Sequence, residues 1–261
     1  MDITLLISTF NRGPLLANSL ERLCQLTPPE ELLVIDDGSS DNTEEVCRSF
    51  EDRLPIRRIY NHNPDWAICS MARNIGLKEA RNDWICVSEP ELFFVTDVLP
   101  QFAELVEEHP DEVISAGSIF FAPEGYPLSE NVEGLEKAGD YTPPEGIEGS
   151  AIGWVAPFTA LWYRPWLMEV GGWDEQFPGP WGWDDIDVLT RLRIKGINQH
   201  IALNVRALHQ AHGPEHRGDV DFQNENYFRA KDFVAGGVED PNLPDIIANR
   251  GIEWGTVKPR P

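Results

Sequence analysis

The chain has 261 residues, of which 41% are hydrophobic, so it is long enough for one large α/β domain with a sizeable core. Its formal net charge of −23 argues against the basic surface that duplex nucleic acid requires, so we do not expect a duplex nucleic-acid partner. No apolar run is long enough for a membrane span, no basic signal region is present and the four cysteines are widely spaced, so we expect a cytoplasmic protein with reduced thiols.

The first half of the chain alternates short apolar runs with helical patterns. Strands are predicted at Ile3 to Ser8, Leu32 to Ile35, Ile56 to Tyr60 and Trp84 to Val87. Helices are predicted from Leu15 to Leu26, from the capping pair Asp41 and Glu44 onward, and from about Trp66 to Ala80. This order is typical of a parallel sheet with helices on both faces, and ligands bind outside the carboxyl ends of its strands. Thr9 and Asp37 fall at those ends.

The second half of the chain has weaker signals. A helix around Phe102 ends at Pro110, and a strand begins at Val113. Residues 123–149 are rich in Gly, Pro and Glu, which predicts a loop that is either functional or disordered. A further strand is predicted from Ile201 to Leu208, and a polar arm follows from Gly213.

The stretch from Val170 to His209 contains two adjacent aspartates at the predicted start of a helix. Amide N–H groups and the helix dipole favour carboxylates there, so Asp184 and Asp185 are expected to stay ionised at neutral pH. Trp181 and Trp183 stand next to them. The pattern fits a catalytic base beside a sugar-binding platform, and it fits equally a helix N-cap flanked by core aromatics.

Five blocks, in this order, resemble those of family 2 glycosyltransferases, which have the GT-A fold. They are Ser8 to Arg12, Asp36 to Asp41, Ala72 to Gly76, Glu89 to Glu91 and the stretch from Val170 to His209. The blocks span about residues 3–212 and leave the tail uncovered. Trp181 to Asp185 is especially similar to the matching block of chondroitin-polymerase-like and β4-galactosyltransferase-like domains.

The resemblance implies a single Rossmann-like, mainly parallel sheet flanked by helices on both faces, with an irregular C-terminal arm. Residues 1–212 would form the GT-A domain, with a nucleotide-binding half at 1–110 and an acceptor-binding half at 111–212. Residues 213–261 would be an extension packed on the domain. The implied activity is inverting, metal-dependent transfer of a sugar from a nucleotide sugar, expected to be a UDP-sugar, to a hydroxyl acceptor, expected to be a saccharide. Sugar, acceptor and oligomeric state stay open.

The resemblance also implies a donor site and a metal site. The nucleotide-binding residues would be Thr9, Asn11, Arg12, Asp37, Arg73 and Glu89. Glu91 and His209 would bind Mn²⁺ or Mg²⁺, with His212 as the competing ligand. The family's Asp-x-Asp motif is Glu-Pro-Glu here, which changes the side-chain length and so the metal geometry. The alternative for Glu89 and Glu91 is a solvated acidic loop, and for Arg73 a helix-surface arginine.

For the acceptor, the resemblance makes Asp185 the general base and Asp184 a group that hydrogen-bonds the acceptor. Trp181 and Trp183 would stack on the acceptor sugar, or they pack in the core. Two other functions remain open: a non-catalytic nucleotide-sugar binding module, and a glycosyltransferase that acts on a nucleic-acid or protein acceptor. A nucleotidyltransferase is disfavoured, because residues 8–14 are not a glycine-rich, basic phosphate loop.

Overall fold

A single mixed sheet runs through the computed structural model, which describes residues 1–63, 69–138, 150–152, 157–179, 182–213, 221–231 and 247–260. The strands are β1 (Ile3–Thr9), β2 (Glu31–Asp36), β3 (Ile56–Tyr60), β4 (Trp84–Ser88), β5 (Leu92–Phe94), β6 (Glu112–Phe121), β7 (Glu136–Ala138), β8 (Ser150–Ile152), β9 (Thr159–Tyr163) and β10 (Asn198–His209). The helices are α1 (Gly13–Leu23), α2 (Thr43–Ser49), α3 (Ser70–Glu79), α4 (Val98–Glu108), α5 (Arg164–Glu169), α6 (Asp184–Ile194) and α7 (Asp221–Ala230).

The strand order places most of the candidate residues along one edge of the sheet. The order is β3-β2-β1-β4-β9-β6-β10-β5, with β7 paired to β6 and β8 paired to β10. β1 to β4 are mutually parallel, and β9 runs antiparallel to both β4 and β6. Two reversals restore the original direction, so β6 and β10 also run with β1 to β4. The carboxyl ends of these six strands therefore lie along the same edge.

The alternation of side chains in the central strands builds one hydrophobic core on each face of the sheet. In β1, Leu5 packs against the face covered by α1, α2 and α4, whereas Leu6 packs against the face covered by α3, α5 and α6. Both leucines are fully buried. Strands with both faces buried are expected to be almost wholly apolar, as β1 and β2 are. The predicted α/β class, with helices on both faces of the sheet, is confirmed.

The start of α2 differs from the predicted capping box. Asn42 occupies the N-cap, and Asp41 stands one residue before it. One carboxylate oxygen of Asp41 accepts the Thr43 N–H at 3.0 Å and the other accepts the Gly13 N–H at 2.8 Å. Glu44 does not reach back to Asp41; it pairs with Arg58 at 3.2 Å. The capping-box prediction is wrong because Asp41 ties the loop to α1 as well as capping α2.

Short elements account for most of the other differences. The sequence pattern predicts none of β5, β8, β9 and α5, which have three to six residues each. β7 lies inside the predicted loop 123–149, of which residues 139–149 are outside the described residues. The helix predicted from Trp66 is described from Ser70, and Trp66 itself is not described. None of the helices in the described ranges is long and apolar enough to cross a membrane.

Two C-terminal segments pack against the turn that precedes α6. Asn224 of α7 accepts the Gly179 N–H at 2.6 Å and donates to the Gly182 carbonyl at 3.0 Å. Asn249 donates to the carbonyls of Gly171 and Trp173 at 2.8 and 2.7 Å. The predicted polar arm thus contains a helix, and both of its described parts make hydrogen bonds to the segment before α6, at Gly171, Trp173, Gly179 and Gly182.

Arg191 fixes the same turn from the other side. Its side chain is fully buried, pairs with Asp187 at 2.8 Å, and donates to the carbonyls of Val170 and Gly172 at 2.6 and 2.7 Å. Asp187 is also fully buried and accepts a second ion pair from Lys231. This network joins α6 to the turn and to the end of α7.

Arg191→Met should lower the free energy of unfolding by about 3 kcal/mol, because it removes two hydrogen bonds to backbone carbonyls and one cation from a buried carboxylate. Urea denaturation would measure this loss. Arg193→Met, on the exposed side of the same helix, is the matched control and should change stability by about 0.5 kcal/mol or less. Equal losses in the two variants would contradict the structural role of Arg191.

Candidate functional site

A buried arginine gathers three carboxylates at the carboxyl edge of the sheet. Arg73 is 4% exposed; its Nη1 donates to Asp184 at 2.8 Å and to Asp185 at 2.9 Å, and its Nη2 donates to Glu89 at 2.5 Å. We call these four residues the Arg73 cluster. The helix-surface reading of Arg73 is wrong, because α3 turns this side chain inward. Its predicted contact with a diphosphate remains a prediction.

The backbone before α6 explains how the two aspartates reach Arg73. Gly182 and Trp183 both have positive φ angles, of 85° and 69°, so the chain turns sharply into the helix. Asp184 and Asp185 then occupy the first turn of α6, as predicted. Asp184 is 2% exposed and also accepts the Ser70 hydroxyl at 3.2 Å. Its predicted contact with an acceptor stays a prediction.

Asp185 is held by two donors and has an unusual acidity. Trp173 Nε1 donates to Asp185 Oδ1 at 2.9 Å, on the same oxygen that accepts from Arg73. Burial raises the pKa of Asp185 to about 7, and the negative charges of Asp184 and Glu89 add to the effect of burial, against the attraction of Arg73. The expectation that Asp185 is fully ionised at neutral pH is therefore wrong: burial outweighs the helix dipole.

Glu89 and Glu91 follow β4 directly, and they take different partners. Glu89 belongs to the Arg73 cluster, and burial raises its pKa above the usual value. Glu91 is 9% exposed and faces two histidines: His209 Nε2 at 3.6 Å and His212 Nε2 at 3.4 Å from its Oε1. The solvated-loop reading is wrong for Glu91, because the pairing of Leu92 with His209 folds the loop against β10.

The residues Glu91, His209 and His212 form the Glu91 cluster, and their donor atoms fit a divalent cation. One ligand atom from each lies within 4.8 Å of the others. Burial alone would raise the pKa of Glu91, but His212 and His209 beside it lower it below the usual value. His212 Nε2 is buried and makes no hydrogen bond of good geometry. A carboxylate with two imidazoles suits Mn²⁺ better than Mg²⁺, which prefers oxygen ligands. His209 and His212 are thus partners in one group rather than alternatives.

A second carboxylate, Asp37, lies at the end of β2. It is 3% exposed and accepts side-chain N–H groups from Asn61 at 2.6 Å and Asn63 at 2.8 Å, both beyond the end of β3. Burial raises the pKa of Asp37, although the two asparagines offset part of the effect. The Asp37 N–H donates to the Thr9 carbonyl, and the buried Thr9 hydroxyl has no hydrogen-bond partner. Thr9 and Asp37 therefore form a polar pocket at the β1 and β2 ends.

Asn11 and Arg12 connect this pocket to the Glu91 cluster. Asn11 has a φ of 51°, and its side-chain oxygen accepts the N–H groups of Ser40 and Asp41, so it joins the loops after β1 and β2. Arg12 Nη2 lies 3.3 Å from His212 Nδ1. All six predicted nucleotide-binding residues lie in the described structure: Thr9 and Asp37 in the pocket, Asn11 and Arg12 in the connecting loop, and Arg73 and Glu89 in the Arg73 cluster.

The structure describes Trp183, one of the two tryptophans predicted either to stack on an acceptor sugar or to pack in the core. Trp183 packs against Phe228 of α7, with ring centroids 5.3 Å apart, and the guanidinium carbon of Arg229 lies 5.7 Å from the centroid of the Trp183 ring. It remains partly exposed, so core packing does not account for all of its surface. Trp181 lies outside the described residues. The predicted stacking of both rings on an acceptor sugar stays a prediction.

Sequence reasoning missed Trp173, Asn61 and Asn63. Trp173 lies in the Gly-Gly-Trp-Asp segment, but no spacing rule indicates that its ring N–H meets Asp185. Asn61 and Asn63 follow the third parallel strand, so the rule that ligand groups gather at strand ends was a usable signal. It was applied to β1, β2 and β4 and not to β3.

Comparisons with known proteins agree with this architecture. The chain is 31% identical to the validoxylamine A glucosyltransferase of Streptomyces hygroscopicus subsp. limoneus, over 98% of this chain and 61% of that protein. It is 23% identical to the chondroitin synthase of Pasteurella multocida strain Pm70, over 80% of this chain and 25% of that protein. The chain therefore spans less than two thirds of the length of these relatives.

The fold is similar to that of S. aureus TarS. The structure of TarS residues 1–349 in complex with UDP superposes with a TM-score of 0.66 at 13% identity, covering 94% of this chain and 68% of that one. The complex of the same protein with UDP-GlcNAc gives a TM-score of 0.62 at 14% identity, covering 83% and 60%. At such low identity the likeness concerns the fold alone, and it supports the predicted GT-A fold.

A comparison with protein-family models matches the part of the chain that runs from β1 to β8. The profile described as "Glycosyl transferase family 2" matches residues 4–156 of the 261, which includes the Thr9–Asp37 pocket, Arg73, Glu89 and Glu91. The relative that aligns with 98% of this chain and the similar fold agree with this match. The resemblance seen in the sequence is therefore confirmed: the chain belongs to glycosyl transferase family 2.

Proposed function

We propose that the protein is an inverting, metal-dependent glycosyltransferase that moves a sugar from a UDP-sugar to a hydroxyl of a saccharide acceptor. The observation that carries this proposal is the placement of two different clusters on one loop. Glu89 belongs to the Arg73 cluster with the candidate base Asp185, and Glu91, two residues on, belongs to the candidate metal cluster. A base and a diphosphate-binding cation must stand on opposite sides of a reacting sugar, and this loop lies between the two clusters.

Asp185 is proposed to act as the general base. In an inverting displacement the acceptor oxygen attacks the anomeric carbon, its proton passes to the Asp185 carboxylate, and the bond to the diphosphate oxygen breaks on the opposite side. A base works best when its pKa is near the working pH, and burial places Asp185 there. A non-catalytic sugar-binding module would have no need of a carboxylate tuned in this way.

The Glu91 cluster is proposed to hold Mn²⁺ against the diphosphate. A divalent cation supplies positive charge that stabilises the leaving UDP. The chain's own contribution is to fix Glu91, His209 and His212 at the carboxyl edge of the sheet, with Arg12 beside His212. Arg12 would add a further positive charge on the diphosphate side, since Arg73 is already paired with the three acids of its cluster.

The Thr9–Asp37 pocket is proposed to bind the uracil base and ribose. The buried Thr9 hydroxyl has no hydrogen-bond partner among the described residues, and Asp37 can accept the N3–H of uracil. The TarS structures hold UDP and UDP-GlcNAc on the same fold, which supports a uridine donor for this chain. The relatives are named for different products, so the sugar and the acceptor are left at the level of class.

The proposed contact between Asp37 and uracil predicts a change in nucleotide specificity when Asp37 is replaced. Asp37→Asn should weaken UDP binding by more than about tenfold, because a carboxylate that accepts the uracil N3–H becomes an amide that competes as a donor. It should also narrow the preference for UDP over CDP, whose N3 carries no proton. Calorimetric titration would measure both affinities. Asp52→Asn, on an exposed turn, is the control, and unchanged UDP affinity in Asp37→Asn would remove Asp37 from the pocket.

The metal assignment predicts full dependence on a divalent cation. Chelation by EDTA should abolish transfer, Mn²⁺ should restore it, and Glu91→Ala should reduce transfer by at least about 100-fold, since the ligand set loses its only carboxylate. Glu107→Gln, an exposed residue of α4, is the control and should respond to EDTA and Mn²⁺ as the wild type does. Activity that survives EDTA would mean that side-chain cations alone hold the diphosphate.

The base assignment predicts different effects for the two neighbouring aspartates. Asp185→Asn should lower kcat by about two to four orders of magnitude with donor affinity nearly unchanged, because proton transfer matters only in the transition state. Asp184→Asn removes a charge from the same arginine nitrogen, so it is a matched control, and it should act mainly on acceptor KM.

The pH profile tests the same assignment. The base must be unprotonated, so kcat/KM of the wild type should rise as pH increases and level off above about 7, and Asp185→Asn should lose this limb. An inactive Asp184→Asn beside an active Asp185→Asn would reverse the two roles. A product that keeps the donor's anomeric configuration, seen by NMR, would rule out the single displacement.

A further inference from the structure

A second group of potential ligands lies at the opposite edge of the sheet from the proposed active site. His109 caps the end of α4, Glu112 is the first residue of β6, and His200 is the third residue of β10. We call these three residues the distal cluster. His200 and His209 lie on the same strand, nine positions apart, which separates the distal cluster from the Glu91 cluster by roughly 25–30 Å.

The donor atoms of the distal cluster converge on one point. His200 Nδ1 and His109 Nδ1 lie 3.0 and 3.3 Å from the same carboxylate oxygen, Oε2 of Glu112. Around a tetrahedral zinc ion with bonds of about 2.0 Å, neighbouring ligand atoms are about 3.3 Å apart. The observed separations are close to that value, so a small cation could be bound with little movement of the three side chains.

The setting of His200 favours a ligand role over a purely structural one. His200 is 3% exposed, and its buried Nε2 has no hydrogen-bond partner among the described residues, where the polar contacts that orient this ring are those of Nδ1 inside the cluster. The rings of His109 and His200 stack with centroids 3.8 Å apart. Protonation of both rings would place two like charges in contact, whereas a cation bound between the nitrogens requires both rings to be neutral.

The exposure and the donor types indicate the ion. The His109 side chain is about one third exposed, which leaves access from solvent and room for a water ligand. Two imidazoles and one carboxylate are typical of Zn²⁺ and unlike the oxygen-rich sites of Mg²⁺ and Ca²⁺.

We propose that His109, Glu112 and His200 bind a Zn²⁺ ion, with water as the fourth ligand, at a site separate from the catalytic metal. The ion would join the end of α4 to the starts of β6 and β10, three segments brought together only by folding. Its role would be structural: it would stabilise this edge of the sheet, which is the opposite edge from the proposed active site. This proposal does not depend on the proposed function.

The test is the zinc content of the full chain after removal of metal by a chelator and re-addition of Zn²⁺ alone. His109→Gln should retain one equivalent of zinc less than the wild type, measured by mass spectrometry of the native protein and by elemental analysis. His62→Gln, a partly exposed histidine outside the cluster, is the matched control and should retain the wild-type amount. Equal zinc content in His109→Gln and the wild type would overturn the proposal.

A second variant separates ligand loss from a folding defect. His109→Cys replaces one zinc ligand with another, so it should restore the missing equivalent, and Co²⁺ in its place should show the thiolate charge-transfer band that the wild type lacks. A structural defect at position 109 would leave both variants equally short of metal. Failure of His109→Cys to recover zinc would therefore also count against the site.

Discussion

The site depends on one buried guanidinium that has more negative partners than it can neutralise. Arg73 faces Glu89, Asp184 and Asp185, which come from the end of β4 and from the start of α6. Buried carboxylates cost several kcal/mol each when unpaired, so these segments could not meet without a cation between them. One positive charge cannot offset three negative ones, and the remaining imbalance appears as the raised pKa values of Asp185 and Glu89. The same interaction thus holds the aspartates in place and tunes one of them.

This imbalance also explains why the donor side needs positive charge from elsewhere. The diphosphate of a nucleotide sugar would enter a region rich in carboxylates, on a chain whose net charge is already −23. Arg73 is occupied by its acids, so under the proposed function Arg12 and a cation at the Glu91 cluster would supply this charge. Glu89 lies in the acidic Arg73 cluster, and Glu91 lies in the cluster proposed to bind a cation. Two nearby positions on one loop therefore border the acidic side of the site and the side proposed to bind the diphosphate.

The sequence predicted the parts of this site that follow local rules. Apolar runs located β1 to β4, and the strand-end rule located Thr9, Asp37, Glu89 and Glu91. It failed where contacts join distant segments. The burial of Arg73 depends on α6, 111 residues away, and the acidity of Asp185 depends on that burial. The antiparallel strand β9 was missed because five residues with both neighbours remote in sequence carry no distinctive pattern.

The position of β9 has a consequence for how the chain folds. β1 to β4 pair among residues 3–88, whereas β9 joins β4 to β6 through contacts such as Ile85 with Trp162. Because these pairings join distant segments, we expect them to form more slowly than those among β1 to β4. Before β9 pairs with β4, the hydrogen-bonding edge of β4 would be open and flanked by apolar residues, which is the kind of edge that recruits other chains.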